Sequence, residues 1–390
     1  MNDKAVFTLY NGRYVLMHIH DNKAMHIYAY NDLSQGEIGK IINCRIEKST
    51  GIDASFVRYS EKESGFINRN IKCETIIPLM YKKEPVGSKR ACFTDKLSIN
   101  GKYAVVFDDD VFVKCSAKIP EAQKEEFINA ILPLARSLNI GIIIRTQAFI
   151  EDDGIAYAKE EIIKIHDLLK KIKEKSSHIP VYSVLYNPLP EFVKDIMYLC
   201  NIGIGEIVTD DETIAKALEN TYEDISGPVN MTDRVRLRFY DDPLLPLCNL
   251  YGFNAKISET LSRKVYLKSG AYITIDKTEA LTAVDVNSAS IKPKGTGRDN
   301  FRKINIEAAA ETVRQMVLRN LSGIIVIDFI NMKSDNDYDE LRSVLCSLIK
   351  TDRINCRFVD FTGTGLCELV RKRSGRCLSE IFCDNYHQEV

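Results

Sequence analysis

Two apolar segments in the last third of the chain each carry an aspartate near their ends, and a long helical segment separates them. The first, "LTAVDVNSAS", indicates a strand with Asp285 on one face, and the second, "IIVIDFINM", indicates a strand with Asp328. Between them "FRKINIEAAAETVRQMVLRNL" predicts a helix that stops at Ser322-Gly323. Neighbouring strand ends line the ligand crevice of an α/β sheet. We therefore expect the two acids to meet at one edge of such a sheet.

Two carboxylates brought together repel each other unless a divalent cation lies between them. Oxygen-only ligands select Mg²⁺ or Mn²⁺ over zinc. Asn287 falls on the same strand face as Asp285 and can orient a water or a phosphate oxygen, and the following Gly- and Lys-rich loop supplies Lys292, Lys294 and Arg298. This set suits metal-assisted attack of water on a phosphodiester. The alternative, that both acids are helix caps or solvated strand ends, stays open on these residues alone.

The rest of the chain predicts a mixed α/β fold of several subdomains. Residues 5–31 alternate as strands around an Asn-Gly turn, and residues 36–100 contain short alternating strands at the regular spacing of a small barrel. "PEAQKEEFINAILPLARSL" and "AYAKEEIIKIHDLLKKIKEKS" have the apolar spacing of helices. Further alternating strands and helices follow, and "GTGLCELVRKRSGR" is interpreted as a basic helical end.

Composition narrows the class of protein without identifying a partner. With 53 Lys and Arg against 54 Asp and Glu the net charge is −1, so any basic surface must be local. The 11 cysteines contain no CxxC pair, which favours reduced thiols in a cytosolic protein and gives no reason to expect zinc. Neither a signal peptide nor an apolar run of about 18 residues is present. We expect a soluble, cytoplasmic protein that does not bind membranes.

Three segments of the chain resemble the catalytic core of the ribonuclease E/G family. They are "ITIDKTEALTAVDVNSAS", "NIEAAAETVRQMVLRNLSGIIVIDFINM" and "GLCELVRKR". These enzymes are endoribonucleases that cut single-stranded, AU-rich RNA with Mg²⁺. The resemblance implies that Asp285 and Asp328 hold the metal and that Asn287 supports the attack. It is strong over residues 264–373 and weaker from the N-terminus.

The resemblance also implies a subdomain architecture. An RNase H-like subdomain would comprise residues 1–35 and 191–262, with an OB-type RNA-binding barrel inserted at residues 36–100. A 5′-sensor subdomain would follow at residues 101–190, and a DNase I-like catalytic subdomain at residues 263–390.

Further RNA contacts follow from the same resemblance. Phe56 and Phe66 fall where an OB surface presents aromatic rings on which bases stack, and Lys89 matches an RNA-contacting lysine. The other interpretation places both phenylalanines in the barrel core. Arg145 and Thr146 match a pair that grips the 5′-monophosphate of the substrate, although an Arg-Thr at a strand end is usually structural.

The sequence departs from the family pattern at several places. The second sensor arginine would fall near Gly363, the glycine-rich stretch facing the sensor reads "DDDVFVKC", and Asn331 stands in place of an acid. The CPxC zinc link and small C-terminal domain of the long forms have no counterpart. We therefore expect a short form without a zinc-linked dimer, and the oligomeric state stays open.

The predicted function is a Mg²⁺-dependent endoribonuclease that cleaves single-stranded RNA to 5′-phosphate and 3′-hydroxyl ends, in rRNA processing or mRNA decay. One alternative is a non-catalytic RNA-binding member of the family. Another is a metal-independent ribonuclease that uses His18 and His20, for which the sequence shows no acid–base partner.

Overall fold

The computed structural model describes residues 3–33, 38–49, 53–83, 85, 90–219, 222–224, 227–229, 235–288, 297–332 and 334–382. These form a mixed α/β chain with several sheets, as predicted. Two compact units are present, Met1–Asp32 with Leu199–Ala217 and Arg234–Val390, and Leu33–Tyr198 with Leu218–Asp233. In the part that the structure describes, no helix has the length and apolar composition needed to cross a membrane.

The strands are β1 (Lys4–Tyr10), β2 (Arg13–His20), β3 (Lys23–Tyr30), β4 (Ile41–Ser49), β5 (Ser55–Arg58), β6 (Ser64–Ile67), β7 (Ile76–Lys83), β8 (Ala91–Thr94), β9 (Ser98–Asn100), β10 (Ala104–Phe107), β11 (Phe112–Cys115), β12 (Gly141–Ile144), β13 (Val184–Tyr186), β14 (Glu206–Thr209), β15 (Tyr222–Asp224), β16 (Gly227–Val229), β17 (Arg236–Phe239), β18 (Lys264–Tyr266), β19 (Tyr272–Lys277), β20 (Leu281–Asn287), β21 (Gly323–Asp328), β22 (Cys356–Phe361) and β23 (Cys367–Arg371). The helices are α1 (Glu121–Leu138), α2 (Thr146–Ile150), α3 (Gly154–Ser176), α4 (Glu191–Asn201), α5 (Glu212–Glu219), α6 (Leu247–Leu250), α7 (Phe253–Leu261), α8 (Gly297–Leu318), α9 (Asp335–Thr351) and α10 (Leu378–Phe382).

The first sheet has the order β17-β14-β1-β2-β3. Asn11 and Gly12 both have positive φ, 49° and 73°, as a tight turn between antiparallel strands requires, so the predicted Asn-Gly hairpin is confirmed. The core of this sheet includes Val6, Met17 and Phe253, the last from α7.

A closed five-stranded, OB-like barrel is built from β4, β5, β6, β8 and β7, with β7 pairing back onto β4. The short β13 adds to the outside of β4. Alternate residues point inward, and Val57, Ile67, Leu79 and Phe93 are among the buried core residues. The barrel predicted for this part of the chain is confirmed.

A four-stranded sheet of order β11-β12-β10-β9 follows the barrel along the chain. Its core combines strand residues such as Ile142 with Ile131 of α1 and Ile162 of α3. Both predicted helices are confirmed by α1 and α3. The separate ribbon of β15 and β16 is two-stranded and antiparallel.

The sheet that carries the two predicted acids has the order β18-β19-β20-β21-β23-β22. Helix α8 connects β20 to β21, which lie parallel, and every other neighbouring pair in the sheet is antiparallel. One face packs on α8 and α9 through a core that includes Val284, Ile327, Ala308 and Leu345. We call the opposite face the open face.

The predicted helical end at "GLCELVRKR" is wrong, because residues 367–371 form β23. Cys367, Leu369 and Arg371 are buried, whereas Glu368 and Val370 are half-buried, which is the two-residue period of a strand. The buried arginine disguised this period, since a charged residue is normally assigned to the solvent side.

Candidate active site

Asp285 and Asp328 are register partners at the ends of the parallel strands β20 and β21. The pairing runs from Leu281 opposite Ile324 to the two aspartates, so backbone hydrogen bonding places them side by side. Neighbouring strands lie about 4.8 Å apart. The structure therefore brings together the two acids that the sequence analysis singled out.

Both aspartates lie on the open face of the sheet and are exposed, whereas Val284, Val286 and Ile327 point to the core and are buried. Alternation along each strand produces this separation. Each carboxylate reaches solvent and keeps its hydration, so neither carries the several kcal/mol penalty of a buried charge. An apolar strand can end in an acid here because the acid falls on the face that no helix of the described residues covers.

Asn287 donates a hydrogen bond from Nδ2 to Oδ2 of Asp285 at 2.6 Å. The contact fixes the orientation of the carboxylate and leaves its second oxygen without a bond to Asn287. Next to it on the open face, Arg263 holds Asp276 through two bonds of 2.5 and 2.6 Å. This pairing raises the pKa of Arg263, and the charge of Asp285 adds to the effect.

The donor set of this site is all oxygen. Among the described residues no group of three or more His, Cys, Asp or Glu side chains could hold a metal ion. Two adjacent carboxylates nevertheless fit Mg²⁺, which usually keeps several waters and binds through one or two carboxylates plus phosphate oxygens. They do not fit structural zinc, which takes four protein ligands rich in Cys and His.

The residue that secures the chain after Asp328 was missed by the sequence analysis. Asn305 of α8 is fully buried, donates to the carbonyl of Ile330 at 2.7 Å and accepts from the Ile330 amide at 3.0 Å. These two bonds tie the end of β21 to the crossover helix. A polar residue two positions before "EAAAE" was the available signal, but its partner cannot be read from sequence.

Four of the predicted basic contacts lie at or beyond the limits of the described chain. Lys292 and Lys294 lie outside the described residues, as does Lys89 of the barrel. Arg298 falls in the first turn of α8, where the structure describes only the backbone. Asn331, in place of the family's acid, is exposed.

Phe56 and Phe66 are register partners on β5 and β6 of the barrel. Both are half-buried, whereas Val57 and Ile67 beside them point inward with 0% and 2% exposure. The rings therefore lie on the outer surface, and the interpretation that places them in the core is wrong. The guanidinium of Arg90 lies 5.4 Å from the Phe56 ring centroid, so a cation already covers one ring.

Arg145 and Thr146 lie where β12 passes into α2. The guanidinium of Arg145 donates to the carbonyl of Gly101, and Thr146 Oγ1 donates to Ser116 Oγ at 3.2 Å. Each side chain thus has a contact within the protein. Burial lowers the pKa of Arg145 somewhat, and the nearby charge of Glu161 opposes the shift.

The acidic run lies at the opposite end of β10 from this pair, since Phe107 pairs with Gly141 and Ala104 with Ile144, and it is partly neutralised. Asp108 forms an ion pair with Lys173, and Asp109 forms one with Lys96 at 2.6 Å. The run is therefore less repulsive to an anion than its sequence suggests. Lys114 of β11 is exposed with its ammonium 5.3 Å from the ring centroid of Phe112.

The histidines considered for metal-independent chemistry form a bonded network. Asp3 Oδ1 lies 2.9 Å from Nε2 of His18 and 2.8 Å from Nδ1 of His20, and Nδ1 of His18 lies 3.1 Å from Nδ1 of His26. Both ring nitrogens of His18 are therefore engaged within the protein. This network, which sequence reasoning missed, argues for a structural role.

Comparison of the sequence with known proteins finds matches to one family. A model of the ribonuclease E/G family matches residues 98–374. Ribonuclease E of a Nostoc species is 30% identical over 359 residues, which cover 86% of this chain and 51% of the relative. Ribonuclease G of Escherichia coli K12 is 31% identical over 306 residues, covering 77% of this chain and 60% of the relative. A ribonuclease E/G-like protein of Pyropia yezoensis is 27% identical over 375 residues, covering 91% and 71%. The chain thus spans about half the length of the ribonuclease E sequence that it matches.

Proposed function

The chain belongs to the ribonuclease E/G family, and from this premise we propose that it is a Mg²⁺-dependent endoribonuclease acting on single-stranded, AU-rich RNA. The observation that carries the proposal is the register pairing of Asp285 with Asp328 on the exposed face of the sheet. A non-catalytic RNA-binding relative would have no need for two exposed carboxylates side by side that form no ion pair with any described residue.

In this proposal Asp285 and Asp328 hold the metal, which when bound polarises the phosphoryl group and lowers the pKa of water. Asn287 keeps the Asp285 carboxylate in one orientation through its 2.6 Å hydrogen bond. Since Asn287 is only half-buried, its side chain also has an accessible edge toward solvent, where it can orient a water or a phosphate oxygen. Lys292, Lys294 and Arg298 are proposed to neutralise phosphates of the bound strand.

The barrel is proposed to supply single-strand affinity. Phe56 and Phe66 form an adjacent aromatic pair on its outer surface, and bases stack on such rings whatever their identity. Arg90 over Phe56 adds a cation beside the rings and can contact a phosphate or stack on a base. Lys89 remains a proposed RNA contact on its resemblance alone.

The finer architecture is proposed from the resemblance. Residues 1–35 and 191–262 would be the RNase H-like subdomain, 36–100 the RNA-binding barrel, 101–190 the 5′-sensor subdomain and 263–390 the DNase I-like catalytic subdomain. Arg145 and Thr146 are proposed as one side of a 5′-phosphate clamp. The cleavage would act in RNA processing or decay.

The decisive experiment incubates a 5′-labelled AU-rich oligonucleotide with the protein, with and without Mg²⁺, and determines the ends of the products. We expect internal cleavage only with the metal, leaving 5′-phosphate and 3′-hydroxyl groups. A cyclic phosphate formed without metal would instead indicate histidine chemistry. Tight binding without cleavage under all metal conditions would indicate the non-catalytic alternative.

A further inference from the structure

A line of four polar residues crosses the open face of the C-terminal sheet. Lys264 on β18 pairs with Thr274 on β19, Thr274 pairs with Asp285 on β20, and Asp285 pairs with Asp328 on β21. The line places a cation at one end and the acid pair at the other. With strands spaced about 4.8 Å apart, Lys264 lies roughly 10 Å from Asp285.

A second line runs beside the first and is aromatic. Tyr266 pairs with Tyr272, and Tyr272 pairs with Asn287, the residue that orients the Asp285 carboxylate. Tyr272 is thus the direct neighbour of the acid site, and Tyr266 lies one strand further out, on the edge strand β18. The two lines share the open face because side chains two residues apart point the same way.

The tyrosines and the lysine contact one another. The ring centroids of Tyr266 and Tyr272 are 6.1 Å apart with an interplanar angle of 59°, and the Lys264 ammonium lies 4.8 Å from the first and 3.5 Å from the second. Tyr266 is 70% exposed. The ring of Tyr266, next to the Lys264 ammonium, is therefore exposed to solvent on the same face as the two aspartates proposed to bind the metal.

Cross-strand packing alone explains part of this arrangement. Aromatic and cation–π pairs stabilise neighbouring strands, and the three-residue edge strand β18 benefits from such contacts. That role calls for rings in mutual contact, which Tyr272 and Lys264 already satisfy. That role does not require Tyr266 to leave most of its surface in water. Nor does it require Tyr266 to lie one strand away from Tyr272, the ring next to the acid pair.

The chemistry of the two lines matches one nucleotide of a single strand. Aromatic faces take a base of any identity, and a lysine takes a phosphate as a point charge. A strand that runs along the first line would bring one phosphate to Lys264 and the next toward the acids, with the base lying over the second line. Arg263 is bound to Asp276, whereas Lys264 contacts the two rings and forms no ion pair with any described residue, so its charge can attract a phosphate.

We propose that Lys264, Tyr266 and Tyr272 form a nucleotide subsite that holds the base and phosphate next to the scissile bond. The subsite rests on the proposed endoribonuclease function and extends it by assigning a substrate position that the acids and the barrel do not account for.

The first test combines protein variants with oligonucleotides that lack one base at successive positions around the cleavage site. In the wild type, removal of the base at the subsite position should lower kcat/KM by at least about fivefold, the lower limit for losing one stacked base. Tyr266→Ala should cause a similar loss with the intact strand and no further loss with that abasic strand. Tyr266→Phe should retain the wild-type pattern, and Lys264→Gln should weaken the dependence of KM on salt. The subsite would be overturned if Tyr266→Ala and removal of the base lowered kcat/KM independently, or if neither lowered it.

The second test separates the subsite from the catalytic proposal. A 4-thiouridine-containing strand is photocrosslinked to the protein in the presence of a chelator, and the labelled peptides are mapped by mass spectrometry. The control variant is Phe239→Ala, since Phe239 is an exposed aromatic residue on the edge strand β17. A crosslink at Tyr266 or Tyr272 that this control does not change would support the subsite even if no cleavage occurred. Cleavage without a crosslink at either tyrosine, and with additive losses, would overturn the subsite and leave the endoribonuclease proposal standing.

Discussion

Arg371 and Asp352 form a buried ion pair beside the sheet that carries the two acids, with Nε and Oδ2 2.6 Å apart and side-chain exposures of 1% and 2%. The guanidinium also donates to the carbonyl of Leu321 at 2.7 Å and to Oδ1 of Asn320 at 3.0 Å. Arg371 therefore joins β23 to the residue that follows α9 and to the segment that leads into β21, the strand that carries Asp328.

Arg371→Met should lower the free energy of unfolding by about 3–5 kcal/mol, because it leaves the Asp352 carboxylate buried without its cation. Urea denaturation followed by circular dichroism measures the change. The matched control is Arg263→Met, which breaks an exposed pair that solvent screens and should cost much less. Equal losses in the two variants would show that burial does not set the cost.

Asp285→Asn and Asp328→Asn should each lower cleavage by at least about a hundredfold, because each removes a carboxylate that the metal and the transition state require. Affinity for RNA in a chelator should change little. The control is Asp276→Asn on the same open face, whose carboxylate is bound to Arg263 and should be dispensable for cleavage. Either acid variant with near wild-type turnover at saturating Mg²⁺ would refute the assignment, and weakened Mn²⁺ binding by electron paramagnetic resonance provides a readout independent of activity.

Phe56→Ala and Phe66→Ala should each weaken single-strand binding by about 1–3 kcal/mol, because each removes a ring on which a base can stack. Fluorescence anisotropy with a labelled oligonucleotide measures the affinity. The folding control is Phe93→Ala, since Phe93 is 2% exposed in the barrel core and its truncation should destabilise the barrel instead. Folded Phe56 and Phe66 variants with unchanged affinity would contradict the stacking role.

Discrimination for a 5′-monophosphate should be below about tenfold in cleavage rate, which corresponds to about 1.4 kcal/mol. The guanidinium of Arg145 is already bonded to Gly101, and the sequence has Gly363 where the family resemblance would place the second sensor arginine. The measurement compares one oligonucleotide with a 5′-monophosphate or a 5′-hydroxyl. A much larger ratio that Arg145→Ala removes would show a complete sensor, and Lys114→Gln would then reveal whether that exposed lysine supplies the missing cation.

Stability should fall as the pH drops from about 6.5 toward 4. The pKa of His26 is lowered to about 4, mainly by burial and then by the nearby charges of His18 and Arg353, while Asp352 opposes the shift. Between pH 6.5 and 4, His26 therefore binds a proton in the unfolded chain but not in the folded chain. The loss of unfolding free energy is complete only below the pKa of His26 in the folded protein. It amounts to up to about 3 kcal/mol.

Thermal or urea unfolding at several pH values tests this prediction. His26→Phe keeps an aromatic ring beside His18 and Tyr28 and should flatten the profile between pH 6.5 and 4. His178→Gln, at an exposed site, should leave it unchanged. A profile that keeps its slope in the His26 variant would assign the loss to other groups.

Local patterns predicted much of the fold. Helical spacing located α1, α3 and α8, and the apolar alternation around Asp285 and Asp328 located their strands. Adjacency of the two acids followed because a single helix crossover separates the strands. These features depend on residues close together in the sequence, where period and turn chemistry are decisive.

Contacts between distant segments could not be predicted in the same way. Arg371 led to a wrong helix because its buried partner Asp352 is supplied by another element. The bonds of Asn305 to Ile330 likewise depend on how a helix and a strand end meet in space. The ring positions of Phe56 and Phe66 stayed ambiguous because alternation gives two faces without saying which one is the core.

The pairing of β20 with β21 has a consequence for which changes of chain length the protein can tolerate. Insertion of one residue directly before Asp285 in β20 would turn that carboxylate toward the apolar core and bring Val286 out to solvent, since each added residue reverses the facing of all that follow. A deletion would do the same. Substitutions in these strands should therefore reduce cleavage to different degrees, whereas single-residue insertions and deletions should abolish it. A scan of substitutions, insertions and deletions across residues 281–287 would show this difference along the strand.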